Sequence, residues 1–167
     1  MKRQIRMRVI GTAVALGVSA AMVLTSSPPA SARPVAPVAT QAQARIEIGQ
    51  DAWQLFQATN ASRGRFDVPK LLLDRDMSAV ARRHSAAMAR ADTLFHTTDV
   101  DVYLHGIAWH MWGENVGYTP TDVASVQKAF MESTPHRENI LDRSFTHVAI
   151  GTVRVDGTLW VTVVFYA

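Results

Sequence analysis

The C-terminal end of the chain constrains the fold most. Thr146 to Val155 and Thr158 to Tyr166 are β-rich runs joined at Asp156-Gly157, a pair that tolerates the positive φ angles of a tight hairpin turn. What precedes them reads differently. From Ala44 to Ser62 the spacing predicts a helix with Ile48, Ala52, Leu55, Phe56 and Thr59 on one side, Gly49 within it and Arg63-Gly64 ending it. Asp67-Val68-Pro69 is a turn into Leu71-Leu72-Leu73. A stronger helical period runs from Asp74 to Asp92, with Met77, Val80, Ala81, His84, Ala87, Met88 and Ala91 on one face. Residues 93–120 lack a period and read as one long loop, a feature often tied to function. Thr119-Pro120-Thr121-Asp122 then offers caps for a helix with Val123, Val126 and Phe130 inward. Pro135 interrupts it, and a short helix restarts over His136–Asp142. Helices first and a hairpin last, with no repeated strand-helix-strand units, predict an α+β fold rather than a doubly wound sheet.

Such a fold has no covalent staples, because the chain contains no cysteine. Thiolate metal sites and cysteine nucleophiles are excluded with the disulfides. The formal charge is +3 in 167 residues, but Lys2, Arg3, Arg6 and Arg8 fall in an acid-free N-terminus. Residues 33–167 hold 13 basic and 14 acidic residues, so the basicity does not point to nucleic acid. The first 32 residues instead have the order of a secretory signal peptide: a cationic start, the uncharged run Val9–Leu24, then Ala30-Ser31-Ala32 as a cleavage site. Read as an uncleaved anchor, the run is short for a bilayer span, which needs roughly 20 apolar residues. Residues 33–43 read as a Pro/Ala-rich linker and residues 44–167 as one domain. The expected product is a secreted protein with no stable membrane span after processing.

Three segments place ligand-capable side chains beside apolar ones: Leu94-Phe95-His96, Gly113-Glu114-Asn115 and Pro135-His136-Arg137-Glu138-Asn139. Two imidazoles and a carboxylate in one pocket would suit zinc or another divalent cation. The spacing, however, matches no local metal motif. A structural role for each residue stays open, including an ion pair of Glu114 with Arg137. His84, on the apolar face of its helix, reads as a hydrogen-bonded core histidine. Arg82, Arg83 and Arg90 of that helix, flanked by acids, read as a solvated face.

These segments, taken together, resemble the CAP superfamily of cysteine-rich secretory and pathogenesis-related proteins, and within it the cysteine-free bacterial members. The resemblance runs from about Ala44 to Tyr166. It is carried by Asn60-x-x-Arg63, Ala81-x-x-His84-x-x-x-Met88, His96, Gly113-Glu114-Asn115-Val116, Ser133-Thr134-Pro135-His136-Arg137-Glu138-Asn139-Ile140-Leu141 and the two final strands. It implies a three-layer α-β-α sandwich around a largely antiparallel sheet, with a cleft where His96, Glu114 and His136 can hold a divalent cation. By position the family's second glutamate falls at Ser133. Glu132 is one residue early, about 100° round the helix, and is a secondary candidate. Asn115, Arg137 and Asn139 are expected to brace the cleft.

Two functions follow. One is a non-catalytic extracellular binding module whose ligand is a lipid, glycan, peptide or cell-wall component, with or without the cation. The other is a metal-dependent extracellular hydrolase with Glu114 as general base. His-Glu-x-x-His and Gly-x-Ser-x-Gly are both absent, which favours the binding module.

Overall fold

Aspartates start the two most regular helices. Asp74 accepts a hydrogen bond from the Met77 amide at 2.8 Å and Asp122 from the Ser125 amide at 2.9 Å, each satisfying a donor that a first helical turn leaves open. The computed structural model describes residues 48–167 and the backbone of Arg6–Arg8. The leader and linker read from the sequence otherwise lie outside the described residues, as do residues 44–47 of the first predicted helix. In chain order the elements are β1 (Arg6–Arg8), α1 (Gln50–Arg65), β2 (Leu72–Leu73), α2 (Arg75–Ala91), α3 (Asp101–Leu104), β3 (Met111–Thr119), α4 (Val123–Glu132), α5 (Thr134–Leu141), β4 (His147–Val155) and β5 (Thr158–Tyr166). Among the described residues no helix is long and apolar enough to cross a membrane.

The sheet order is β1-β3-β5-β4-β2. Strands β3, β5 and β4 are antiparallel, β2 pairs parallel with the start of β4, and β1 runs parallel beside Met111–Gly113. The hairpin turn has the expected chemistry, with Asp156 at φ 48° and Gly157 at φ 81°. Period-two alternation sends one set of side chains to each face. Leu159, Val161, Val163 and Phe165 of β5 meet α1, α4 and α5, together with Phe130, Ile140 and Phe145. Val164 and Tyr166 turn to α2 and α3, where they join Met77, Ala81, Tyr103 and Trp112. The chain is therefore an α-β-α sandwich of the α+β class, with a largely antiparallel centre. With no disulfide available, apolar burial is its main support, at about 1.5–3 kcal/mol for each fully buried large apolar side chain.

Two expectations are corrected. Gly49 is the cap of α1 and not an interior residue, and the helix continues through Arg63 and Gly64 to Arg65. Arg63 is the reason the chain does not turn earlier. Its fully buried guanidinium donates to the carbonyls of Pro69 (2.6 Å), Ile140 (2.9 Å), Asp142 (2.9 Å) and Phe145 (3.2 Å). Burial lowers its pKa, opposed by the nearby Asp142. Asn60, one turn earlier, exchanges two hydrogen bonds with the Leu71 backbone. The Asn60-x-x-Arg63 pattern is thus a structural tie. The second correction is larger: the predicted loop 93–120 contains one turn of helix, α3, and a nine-residue strand, β3.

Candidate functional site

Strand β3 escapes a sequence reading because its centre, Gly113-Glu114-Asn115, has the composition of a turn rather than a strand. Each of the three residues has a task there. A Cβ on Gly113 would come within 2.8 Å of Asn139 Oδ1 and 3.1 Å of the Phe145 ring, so only glycine fits. Glu114 points to the α3 side of the sheet and Asn115 to the α5 side. Asn115 donates to the His136 carbonyl at 3.0 Å, while Asn139 donates to Asn115 Oδ1 at 2.8 Å and to the Glu114 carbonyl at 3.3 Å. This amide ladder fastens the first turns of α5 to the strand.

The ladder sets the position of His136, which is fully buried with its ring stacked on Phe130 at 4.9 Å. Ser133 Oγ lies 2.8 Å from His136 Nδ1. The other ring nitrogen, Nε2, is buried with no hydrogen-bond partner among the described residues. Burial, reinforced by the proximity of His96, pushes the His136 pKa down to about 4, so the ring is neutral at physiological pH. His96 is near enough for its charge to act on His136, although the two reach strand β3 from different elements, His96 through Glu114 and His136 through Asn115.

His96 comes from the segment between α2 and α3. Its Nδ1 is 2.8 Å from Glu114 Oε1, which also accepts from the Thr97 amide at 3.0 Å. Glu114 Oε2 accepts from the Tyr103 hydroxyl at 3.1 Å. Burial and the neighbouring carboxylate raise the Tyr103 pKa far above the usual phenol range, so the hydroxyl remains a donor. Both carboxylate oxygens are therefore engaged, in a side chain that is 1% exposed. A carboxylate held in this way fixes the tautomer and orientation of its histidine.

The sequence candidates thus separate. His96, Glu114, His136, Asn115 and Asn139 come together. Glu132 does not: it stands on the exposed face of α4, 3.8 Å from Lys128 in the i,i+4 relation. Arg137 neither pairs with Glu114 nor braces the cleft, and its guanidinium lies 4.9 Å over the Phe66 ring. His84 is half-buried rather than core, with Nε2 2.9 Å from the Phe95 carbonyl and its ring beside Phe95 and Tyr103. Two further site residues emerge from the structure: Tyr103, unassigned in the sequence, and Ser133, read there only as the position of the family's second glutamate. Ser133-x-x-His136 has the spacing of a capping box with an imidazole in place of the usual carboxylate, and that signal could have found it. Tyr103 has no local signal. Among the described residues no group of three or more His, Asp or Glu side chains is disposed to hold a metal ion.

This fold recurs in known proteins. Residues 56–165 match the model of the cysteine-rich secretory protein family, CAP. The uncharacterized protein YkwD of Bacillus subtilis is 30% identical over 113 residues, which are 64% of this chain and 44% of that protein. An extracellular SCP-domain protein of Bacillus anthracis has a TM-score of 0.62 at 25% identity, over 70% of this chain and 40% of that one. An outer surface protein of Borrelia burgdorferi has a TM-score of 0.63 at 15% identity, over 70% and 92%. The chain therefore spans less than half the length of the two Bacillus relatives. The protein is secreted, in keeping with the secretory family that residues 56–165 match and with the extracellular Bacillus anthracis protein. With the family model matched over most of its length and the fold shared with these structures, the chain belongs to the cysteine-rich secretory protein (CAP) family.

Proposed function

We infer that the protein is a non-catalytic extracellular binding module that takes its ligand at the edge of β3, against the imidazoles of His96 and His136. The observation that carries this reading is the buried, unpartnered Nε2 of His136. A buried polar atom without a partner is costly, about 1–3 kcal/mol, and a ligand atom or a cation would relieve it. A divalent cation would be held by His136 Nε2, with His96 beside it and Glu114 as the outer carboxylate that orients His96. The remaining coordination would come from water or from the ligand, a lipid, glycan, peptide or cell-wall component. A bound cation would polarise and partly neutralise a ligand oxygen. Glu114 holds and orients, because its oxygens already accept three hydrogen bonds. That occupation is what disfavours a hydrolase with Glu114 as its base.

Zinc titration of the secreted protein by calorimetry tests the reading. One zinc should bind per chain, His136→Ala should abolish it, and Glu114→Gln should weaken it about 10- to 100-fold. No heat with zinc would remove the cation from the proposal. Chelator-sensitive hydrolysis of peptide, ester or glycan panels, lost in Glu114→Gln, would overturn the binding module in favour of the hydrolase.

A further inference from the structure

Away from the cleft, α2 carries four arginines, Arg75, Arg82, Arg83 and Arg90, and no lysine. At 100° and 1.5 Å per residue they fall within an arc of about 100° and span about 22 Å along the helix. All four are exposed on the face opposite the sheet. The flanking acids suggest a self-neutralised solvated face, but the structure changes that account. Asp74 is committed to the Met77 amide and the Tyr166 hydroxyl, and Asp92 lies beyond the helix as its left-handed cap. Asp76 is the one acid within α2. None of the four arginines forms an ion pair or hydrogen bond among the described residues. They form a row without ion pairs, bordered at its first turn by Asp76, on a domain whose residues 33–167 carry more acid than base. At one end the row opens on a cavity of ≈ 180 Å³ bordered by Arg75, Ser78, Arg82 and Thr152 and by the apolar Ile48 and Ile150.

The neighbours of the row narrow its partner. Ala79 and Ala86 stand between the arginines, so the row itself offers no large apolar side chain to enter a bilayer. Nor does the row hold an aromatic ring on which a base could stack, the nearest on α2 being His84, about 100° round the helix from Arg83. Guanidinium groups bind phosphate through two parallel hydrogen bonds, which a lysine ammonium cannot do. We propose that the outer face of α2 is a docking surface for a linear extracellular phosphate polymer, bound along Arg75, Arg82, Arg83 and Arg90. This surface is separate from the β3 edge and does not depend on the reading of that site.

Fluorescence anisotropy with labelled long-chain inorganic polyphosphate tests it on the secreted protein. Binding should weaken steeply with added salt, as counterion release requires. Monomeric phosphate at equal phosphorus concentration should compete poorly. The double variant Arg82→Glu/Arg83→Glu should lose affinity at least about tenfold with an unchanged circular dichroism spectrum. Lys128→Glu, on α4, should alter it less than about twofold. No binding at low salt, or binding indifferent to the double variant, would overturn the proposal. So would tighter binding to single-stranded DNA of equal charge, or capture by anionic phospholipid vesicles without polyphosphate binding, since each points to a different partner.

Discussion

Helix α5 connects two buried polar centres that are built on opposite principles. At its C-terminal end the guanidinium of Arg63 reads the carbonyls of Ile140 and Asp142, along with those of Pro69 and Phe145. At its N-terminal end His136 is equally buried, but its Nε2 has no partner. Satisfied polar groups in a low-dielectric interior fix a structure, whereas an unsatisfied one raises its energy. The same short helix is therefore locked at one end and left receptive at the other. Charge follows the same division. Arg63 keeps its cation among carbonyl dipoles, while His136 is kept neutral by burial and by His96.

The strongest challenge to this contrast is Arg63→Met. It should destabilise the fold by about 4 kcal/mol or more, because several buried carbonyls lose their donor together. Urea unfolding followed by Trp fluorescence measures this, and Arg63→Lys should recover only part of the loss. A cost below about 1 kcal/mol would mean the Arg63 centre is not the lock described.

Acid probes the receptive end. The folded-state pKa of His136 is about 4, against an ordinary value of 6.5. The unfolded chain thus binds the extra proton between those values, and stability falls as pH drops through that window. At 1.36 kcal/mol per unit the loss is about 3 kcal/mol, complete near pH 4 and absent above about pH 7. Denaturant midpoints from pH 7 to 4 give the curve, and the His136→Phe variant should flatten it. A wild-type curve parallel to that of the variant would contradict the assignment.

Smaller effects sharpen the picture. Tyr103→Phe leaves Glu114 Oε2 without its 3.1 Å donor and should cost about 2 kcal/mol, because the lost hydrogen bond is to a charged group. It should also weaken any zinc binding through the loosened His96. At pH 7 His136→Phe should shift stability by less than about 1 kcal/mol, since the stack on Phe130 survives and the unpartnered nitrogen disappears. So small a cost in a fully buried position would mark His136 as a group retained for binding.

Legibility in the sequence follows how local each cause is. The caps Asp74 and Asp122, the Asp156-Gly157 turn and the two final strands depend on neighbours within a few residues, and all are readable. Strand β3 is not, because Gly113, Glu114 and Asn115 are placed there by Asn139, Tyr103 and His136, which are remote in the chain. For the same reason spacing alone does not assemble His96, Glu114 and His136, and only the family resemblance brings them together. The phase of α4 does foretell that Glu132 turns away. Arg137 is misread because its attraction to Phe66 leaves no trace in the motif around it.

Gly151 on β4 bears on the arginine row as well. A single methyl there would collide with the backbone of Ala81 and Arg82, so α2 is seated directly on the strand, and Ser85 adds hydrogen bonds to the Gly151 carbonyl and Thr162. A helix seated in this way can neither roll nor slide. The roots of its outer side chains therefore keep a fixed bearing relative to the sheet, so the α2 arginines spring from constantly spaced points even as each guanidinium moves.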